Sequence, residues 1–278
     1  MENDLLTLNG VTKRIENRIL FRNVQLTVQK NQAIAITGHN GCGKSTLLNI
    51  MAGFSAIQSG TIKRHQDLKI NFVPESFPRL AVSARKYVQS VGLIEGIPAA
   101  ELEVKSQALF KQFFLEEMVD TPLKHLSKGT LQKIAVIQAL LTVPDILLLD
   151  EPLSGQDSDS QKVFIQLMNE YVAGGGAIVM SCHEKYLIHQ VATVAYEMTD
   201  KSLQEKAIEP IHSVLQRLHF SHQQLDQPLP AIVSEASEKV EQKEHETVLI
   251  VTSDKSHALL QEMLQAGFEL RRMTDEIF

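Results

Sequence analysis

A glycine-rich segment that ends in lysine and serine has the residue types needed to bind phosphate. It runs from Gly38 to Ser45 as GHNGCGKS and fits the pattern G-x-x-x-x-G-K-[S/T] at every fixed position. Glycines let backbone N–H groups turn inward onto phosphate oxygens. The lysine reaches terminal phosphates, and the serine hydroxyl can bind Mg²⁺. The residues expected to contact the nucleotide here are Gly38, His39, Asn40, Gly41, Cys42, Gly43, Lys44, Ser45 and Thr46.

The residues around this loop also suit phosphate binding. The short apolar run 33–37 before it is typical of a buried strand, and 44–51 after it has a helical pattern. The N-terminus of that helix would add partial positive charge where the phosphates lie. The alternative is a glycine-rich turn with a chance Lys-Ser pair, and these flanking elements argue against it.

A second segment combines an apolar strand with two acids. Residues 146–149 are Ile-Leu-Leu-Leu, followed by Asp150 and Glu151. Charge at the end of a buried strand is costly unless a cation lies nearby. We therefore expect Asp150 to hold Mg²⁺ through its water shell and Glu151 to polarise the attacking water. Together, the loop and the acidic strand end predict a nucleoside triphosphatase, a class that several families share.

Four further motifs narrow the family. In chain order, Val73-Pro74-Glu75, Leu126 to Lys133 (LSKGTLQK), Ser154 to Asp157 (SGQD) and Ser181-Cys182-His183 resemble the Q-loop, the LSGGQ signature, the D-loop and the switch histidine of ABC transporter ATPases. The resemblance extends over about residues 3–220. It implies that ATP and Mg²⁺ bind here and that two cassettes, in a homodimer or a heterodimer, enclose two ATP molecules.

The same resemblance gives roles to residues outside the phosphate loop. Ser127 and Gly129 would contact the γ-phosphate held by the partner cassette through backbone N–H groups at a helix N-terminus. His183 would bond the γ-phosphate and help to orient water beside Glu151. The implied catalytic residues are Lys44, Glu151 and His183, and the implied metal ligands are Ser45, Glu75 and Asp150.

The chain departs from the family pattern at four positions. Lys128 and Thr130 replace a glycine and the glutamine of the signature, and Glu75 replaces the Q-loop glutamine. A carboxylate is still a hard oxygen ligand for Mg²⁺. Ile15 occupies the position where the family often has an aromatic residue on adenine. Because isoleucine cannot stack in the same way, base selectivity is open.

Strands alternate with helices, which indicates an α/β fold with a mainly parallel sheet. With the resemblance, this predicts a P-loop NTPase fold with an N-terminal antiparallel β subdomain, an inserted α-helical subdomain and a small C-terminal βαβ appendage. The expected boundaries are 1–220 for the ATPase domain, with the helical subdomain at about 77–143, then a charged linker at 221–247 and the appendage at 248–278.

Composition limits the remaining choices. The 278 residues are 44% hydrophobic and 22% charged, which excludes fibrous and wholly disordered chains. The formal charge of −6 gives no reason to expect nucleic acid as a partner. The two cysteines fit a reducing compartment. No apolar run approaches the ~18 residues that span a bilayer, so a separate integral-membrane permease is expected as a partner. It would hold the chain at the cytoplasmic face of the membrane.

The motifs are compatible with more than one function. The leading hypothesis is the ATPase subunit of an exporter for a drug, antibiotic, peptide or similar substrate, because Met273 to Phe278 (MTDEIF), Lys128 and Glu75 resemble that branch. The alternatives are an importer subunit, or a soluble ABC ATPase without a transport role. A P-loop kinase or GTPase is disfavoured, since N-K-x-D is missing and the signature and switch motifs would be unexplained.

Overall fold

The computed structural model of the chain describes residues 3–208, 215–222, 227–243 and 245–276. They form two compact units. The first comprises 1–183 and 190–208, and the second comprises 184–189 and 209–278, each as far as it is described. The first unit contains all the motifs that the sequence relates to phosphate chemistry.

Nine strands, five α-helices and two short 3₁₀ helices make up the first unit as far as the described residues show, and a sixth α-helix has residues in both units. The strands are β1 (Asp4–Ile15), β2 (Arg18–Gln29), β3 (Ala33–Thr37), β4 (Ser59–Arg64), β5 (Ile70–Val73), β6 (Ile146–Asp150), β7 (Ala177–Ser181), β8 (Val194–Thr199) and β9 (Ser202–Lys206). The helices are α1 (Lys44–Ala52), α2 (Ala84–Ile94), α3 (Ala99–Gln112), α4 (Lys128–Leu140), α5 (Ser158–Ala173) and the shared α6 (Lys185–Val191).

A six-stranded sheet in the order β5-β6-β7-β3-β8-β9 forms the centre of this unit. The strands from β5 to β8 run parallel, and β9 is antiparallel to β8. Every residue of β6 and β7 is buried, as continuous apolar runs in a parallel sheet require. The carboxyl ends of β3, β5, β6 and β7 therefore meet at one edge, where ligands bind in open α/β sheets.

A three-stranded antiparallel sheet, in the order β2-β1-β4, packs on this core. Its inward residues Leu6, Leu8 and Val11 share one hydrophobic cluster with Leu47 and Leu48 of α1. The alternation of buried and exposed residues along β1 and β2 is what a sheet with one solvated face produces. The predicted α/β fold with an antiparallel β subdomain is confirmed.

The inserted helices α2, α3 and α4 occupy residues 84–140, within the range expected for the helical subdomain. Two short 3₁₀ helices, Glu116–Met118 and Leu123–His125, connect α3 to α4. Helix α4 is buried without a break over 131–137, so its apolar residues do not form a single stripe.

The second unit is an antiparallel sheet with helices on one face. Its described elements are β10 (Leu215–Ser221), α7 (Ile232–Ala236), β11 (Ser237–Gln242), β12 (Glu246–Thr252), α8 (Ser253–Gln265) and β13 (Glu269–Glu276). The sheet order is β11-β12-β10-β13. Leu218 and Phe220 of β10 pack with Leu249 and Val251 of β12 and with Met263 of α8.

Two expectations about this region were wrong. Residues 221–247 are not a linker where they are described, because α7 and β11 lie there. Residues 215–220, placed in the ATPase domain, belong to the strand β10 of the second unit. The order β12-α8-β13 matches the expected βαβ appendage, but β10 lies between its two strands. Because β11 is an edge strand with Glu238 and Lys239 exposed, its sequence lacks an apolar pattern.

Within the described ranges, no helix is both long enough and apolar enough to cross a membrane.

A glycine near the start of β4 provides a test of this packing. Gly60 has φ 93°, and a Cβ there would lie 2.6 Å from the carbonyl carbon and oxygen of Gly10. We expect Gly60→Ala to lower the free energy of unfolding of the first unit by about 3 kcal/mol through strain and overlap. Gly96→Ala is the control, since Gly96 also has a positive φ, 82°, but has no atom within 4 Å of the added Cβ. It should cost about 1 kcal/mol. Equal effects in urea unfolding would contradict the close approach of Gly60 to Gly10.

Candidate active site

The glycine-rich loop connects β3 to α1 and is fixed by close packing. Gly43 has φ 116°, and a Cβ on it would lie 2.9 Å from the ring of Phe21. Gly38 has φ 138°, and a Cβ on it would lie 2.6 Å from the carbonyl oxygen of Met198. Only glycine fits at both positions, so close packing fixes the backbone conformation of the loop.

Lys44 is the first residue of α1 and is 7% exposed. Its Nζ donates a hydrogen bond to the Gly38 carbonyl oxygen at 2.8 Å and lies 3.0 Å from Nε2 of His183. A buried ammonium group needs such partners. The lysine therefore connects its own loop to His183, which lies shortly after the end of β7.

Asp150 ends β6 and is 4% exposed. Its Oδ1 accepts a hydrogen bond from Ser45 Oγ at 3.1 Å and a short one from Ser181 Oγ. The pairing of β6 with β7 sets Asp150 opposite Ser181. A carboxylate and a hydroxyl are thus adjacent, and both are hard oxygen donors that suit Mg²⁺.

These residues alone do not form a complete metal centre. Among the described residues, no group of three or more His, Cys, Asp or Glu side chains could hold a metal ion. Magnesium is commonly bound by one or two protein ligands together with phosphate oxygens and water. The Ser45–Asp150 pair fits that mode of binding, in which the nucleotide supplies the remaining ligands.

Glu151 follows β6 in a left-handed conformation, with φ 48°. Its backbone N–H donates to the carbonyl oxygen of Ser181 at 3.0 Å, and that bond fixes the turn. Its Oε1 lies 3.1 Å from Nε2 of His183. Non-glycine residues held at positive φ are common at functional sites.

Nε2 of His183 thus has two neighbours of opposite kinds. A neutral imidazole with a free Nε2 lone pair accepts from Lys44, whereas an Nε2–H donates to the Glu151 carboxylate. The protonation of one ring nitrogen therefore decides which of the two contacts forms. The predicted catalytic residues Lys44, Glu151 and His183 lie together, next to the Ser45–Asp150 pair.

The signature residues lie at the start of α4. Ser127 is the N-cap, and its Oγ accepts from the Thr130 N–H at 3.1 Å and lies 2.7 Å from Thr130 Oγ1. A Cβ on Gly129 would lie 1.9 Å from the carbonyl oxygen of Gly155, so the backbone of α4 touches the D-loop there. Sequence reasoning missed that Thr130 forms a hydroxyl pair with Ser127.

A second contact between α4 and the D-loop was not predicted from the sequence. Lys133 has a side chain that is 9% exposed, and its Nζ bonds Asp157 Oδ2 at 2.8 Å. Asp157 is the N-cap of α5 and accepts from the Ser160 N–H at 3.0 Å. Burial alone would raise the pKa of Asp157, but its bonds with Lys133 and Ser160 prevail and hold that pKa well below the ordinary range. No local sequence pattern specifies this pair, because its members are 24 residues apart.

The other predicted residues lie around this centre. Glu75 follows β5, and its Oε1 is 4.0 Å from Lys128 Nζ. Ile15 ends β1 and is 51% exposed. Within the loop, Nδ1 of His39 lies 2.9 Å from the carbonyl oxygen of Asn40, and Cys42 is 8% exposed. Gly41 has φ 79°, and Thr46 lies in the first turn of α1.

The fold and this geometry together define a P-loop ATPase. Solved structures with the same fold include two ATP-binding cassettes. One, titled as the ATP-binding subunit of an ABC transporter, has a TM-score of 0.67 and 23% identity and matches 73% of this chain and 90% of its own. The other is a dimeric ATP-binding cassette in a post-hydrolysis state with ADP and phosphate; its TM-score is 0.66 at 23% identity, over 74% of this chain and all of its own.

Sequence comparison identifies the family. The profile of the family described as ABC transporter matches residues 21–154. The zinc import ATP-binding protein ZnuC of Rickettsia bellii is 31% identical over 172 residues, which are 61% of this chain and 71% of that protein. ZnuC of Pseudomonas fluorescens is 27% identical over 192 residues, 68% and 71% of the two chains. The chain belongs to the ABC transporter family as an ATP-binding, ATP-hydrolysing subunit.

These relatives do not support the expectation of an exporter. They carry the names of import proteins, which favours the importer alternative. The C-terminal motif that suggested export ends at Ile277 and Phe278, which lie outside the described residues. The other two signals, Lys128 and Glu75, contact each other, so a local pairing accounts for them without reference to the direction of transport.

The Lys133–Asp157 pair provides a test of the link between α4 and the D-loop. Because the pKa of Asp157 is lower in the folded state, the pair stabilises the protein above the ordinary pKa of 3.8, and this stability is lost as the pH falls below it. We expect Asp157→Asn to lower the free energy of unfolding by about 1 kcal/mol at pH 7, a value reduced for solvent screening. The difference in the free energy of unfolding between Asp157→Asn and wild type should decrease toward pH 3.

Urea unfolding at a series of pH values measures this difference. Asp120→Asn is the control, because Asp120 pairs with Arg85 in an exposed position, with 76% of the Asp120 side chain exposed. It should change the stability much less than Asp157→Asn does. A gap for Asp157→Asn that stays constant from pH 7 to pH 3 would show that the ion pair is not its cause.

Proposed function

We propose that this chain hydrolyses ATP to energise a separate membrane permease that imports a divalent metal ion, with zinc as the substrate. One observation carries the ATPase part of the proposal. At one edge of the parallel sheet, contacts of 3.1 Å or less join Lys44, His183 and Glu151, and a contact of the same length joins the adjacent pair Ser45 and Asp150. The importer part rests on the family relatives named as zinc import subunits.

The glycine loop and Lys44 bind the triphosphate in this proposal. Backbone N–H groups of the loop and the N-terminus of α1 face the phosphates, and the ammonium group of Lys44 stabilises charge on the terminal ones. Lys44 then exchanges its contact with the Gly38 carbonyl for phosphate oxygens. This exchange suits a lysine that is held at the loop by a single carbonyl and an imidazole.

Ser45, Asp150 and Glu75 are the proposed ligands or water-mediated partners of Mg²⁺. When bound, the ion would neutralise phosphate charge. The Ser45 hydroxyl already donates to Asp150, so binding requires only that the hydroxyl turn its lone pair to the ion. Ser181 remains bonded to Asp150 and keeps the carboxylate oriented, in the manner of an outer-shell partner.

Glu151 and His183 are the proposed catalytic pair for water. The Glu151 carboxylate accepts a hydrogen bond from the attacking water, and the residue itself is held at a positive φ just after β6. His183 Nε2 lies between Glu151 and Lys44, where a γ-phosphate oxygen would also come within reach. Phosphoryl transfer then depends on positioning and charge stabilisation rather than on a covalent intermediate.

Ser127 and Gly129 are proposed to act across a dimer. The α4 N-terminus is exposed at Ser127, and its N–H groups can receive the γ-phosphate of a partner cassette. The solved cassette with ADP and phosphate is itself a dimer. The dimer contains two copies of this chain or one copy with a second cassette.

Two substitutions separate binding from chemistry. Glu151→Gln keeps the shape of the side chain but removes its charge, so we expect hydrolysis to fall by at least 10²-fold with nucleotide affinity retained. Lys44→Ala should weaken ATP binding itself. Glu101→Gln, an exposed residue in the first turn of α3, is the matched control and should hydrolyse ATP normally. Near-normal turnover of Glu151→Gln would exclude that residue as the catalytic carboxylate.

Transport is tested in the native cell. A tagged chain should co-purify with a polytopic membrane protein in stoichiometric amount from membranes dissolved in mild detergent. Cells that carry Glu151→Gln as their sole copy should grow poorly when zinc is limited and recover when zinc, but not manganese or iron, is added. Recovery of growth with a different ion would identify that ion, rather than zinc, as the substrate. If the Glu151→Gln cells were instead sensitive to excess zinc, the direction of transport would be export. If the chain purified with soluble proteins alone, the proposed permease partner would be wrong.

A further inference from the structure

Two side chains of α4 reach the segment that follows β5. Gln132 Nε2 donates to the Pro74 carbonyl oxygen at 3.1 Å, and Lys128 Nζ lies 4.0 Å from Glu75 Oε1. Lys128 and Gln132 are four residues apart and share one face of the helix. The start of α4 is therefore attached to this segment through one backbone contact and one charge contact.

The two contacts differ in burial. Gln132 is 1% exposed, so its bond to Pro74 fixes the backbone of the segment. The side chains of Lys128 and Glu75 are each 53% exposed. An ion pair so open to solvent adds little to stability, and it can separate and re-form. Its effect is on the local charge rather than on the fold.

That charge lies near the nucleotide site. β5 pairs with β6 in parallel, with Val73 opposite Leu149, so Glu75 emerges at the same edge as Asp150 and Glu151. Neighbouring strands are only ~4.8 Å apart. Three carboxylates thus lie at the ends of two adjacent strands, at the edge where the triphosphate is proposed to bind. An additional carboxylate there repels the phosphates unless a cation offsets it.

We propose that Lys128 is a positioning residue for Glu75: it neutralises this carboxylate and holds it at α4 until Mg²⁺ arrives with the nucleotide. The proposal rests on the proposed ATPase function. It explains why two charged residues replace two uncharged residues of the family pattern in the same chain. Lys128 and Glu75 offset each other's charge, so either residue without the other would change the net charge of the site.

Opposite effects of the two charges follow from this arrangement. Without Mg²⁺, loss of Lys128 leaves an unpaired carboxylate that repels the nucleotide, whereas loss of the Glu75 charge leaves an unpaired cation that attracts it. In the presence of Mg²⁺, loss of Lys128 frees Glu75 for the ion and raises the apparent affinity for Mg²⁺. Loss of the Glu75 charge lowers that affinity.

The test is a double-mutant cycle on the full chain with Lys128→Gln, Glu75→Gln and the double variant. The probe is the slowly hydrolysed analogue ATPγS. In EDTA we expect Lys128→Gln to raise the Kd about two- to fivefold and Glu75→Gln to lower it by a similar factor. The double variant should return close to wild type. All shifts should shrink in high salt, because exposed charges are screened.

A Mg²⁺ titration at fixed ATPγS is the second measurement, with Lys111→Gln as the control. Lys111 is an exposed lysine on α3, so its substitution makes the same change in net charge within the helical insertion. If both single variants weaken ATPγS binding, or if Lys128→Gln behaves like Lys111→Gln, the pair is not the cause. Failure of the wild-type chain to bind ATPγS would instead count against the proposed function.

Discussion

The structure depends on the burial of a carboxylate at the end of an apolar strand. Asp150 is 4% exposed, and its Oδ1 receives hydrogen bonds from α1 and from β7 through Ser45 and Ser181. A buried charge is tolerated only with such partners. Because β6 lies between β5 and β7 in a parallel sheet, the same edge also gathers Glu75 and His183. One strand position therefore determines where the phosphate loop, the proposed metal ligands and the proposed catalytic residues meet.

The charged residues at this edge contact one another in separate small groups rather than in one connected network. Lys44 and Glu151 both contact His183, and Lys128 lies beside Glu75. Each pair leaves a cation or a carboxylate that can change partners when a triphosphate and a divalent ion bind. A site with fixed, fully satisfied bonds could not make that exchange without breaking its own structure. The half-exposed lysine and the imidazole between two opposite neighbours are thus suited to a reaction cycle.

The sequence predicted those parts of the site that are encoded in short, dense patterns. The loop 38–45 and the strand end at Asp150 need specific residue types at fixed spacing, so they could be identified without a structure. The strands β4 and β11 could not. Most residues of both are exposed, and their pairing depends on backbone bonds with β1 and β12 rather than on apolar side chains. The contact of Lys133 with Asp157 joins residues 24 apart in sequence, and no local pattern specifies it.

Helix α4 connects the parts of the site that the motifs describe separately. One side of it contacts the segment after β5 through Lys128 and Gln132, and Gly129 and Lys133 contact the D-loop. Its residues 131–137 are all buried, and close-packed interiors transmit displacement rather than absorb it. A shift of α4 must therefore move both contacts together. The proposed metal ligand Glu75 and the residues that follow Glu151 are coupled through one rigid element, so events at the signature are communicated to both sides of the proposed hydrolytic centre.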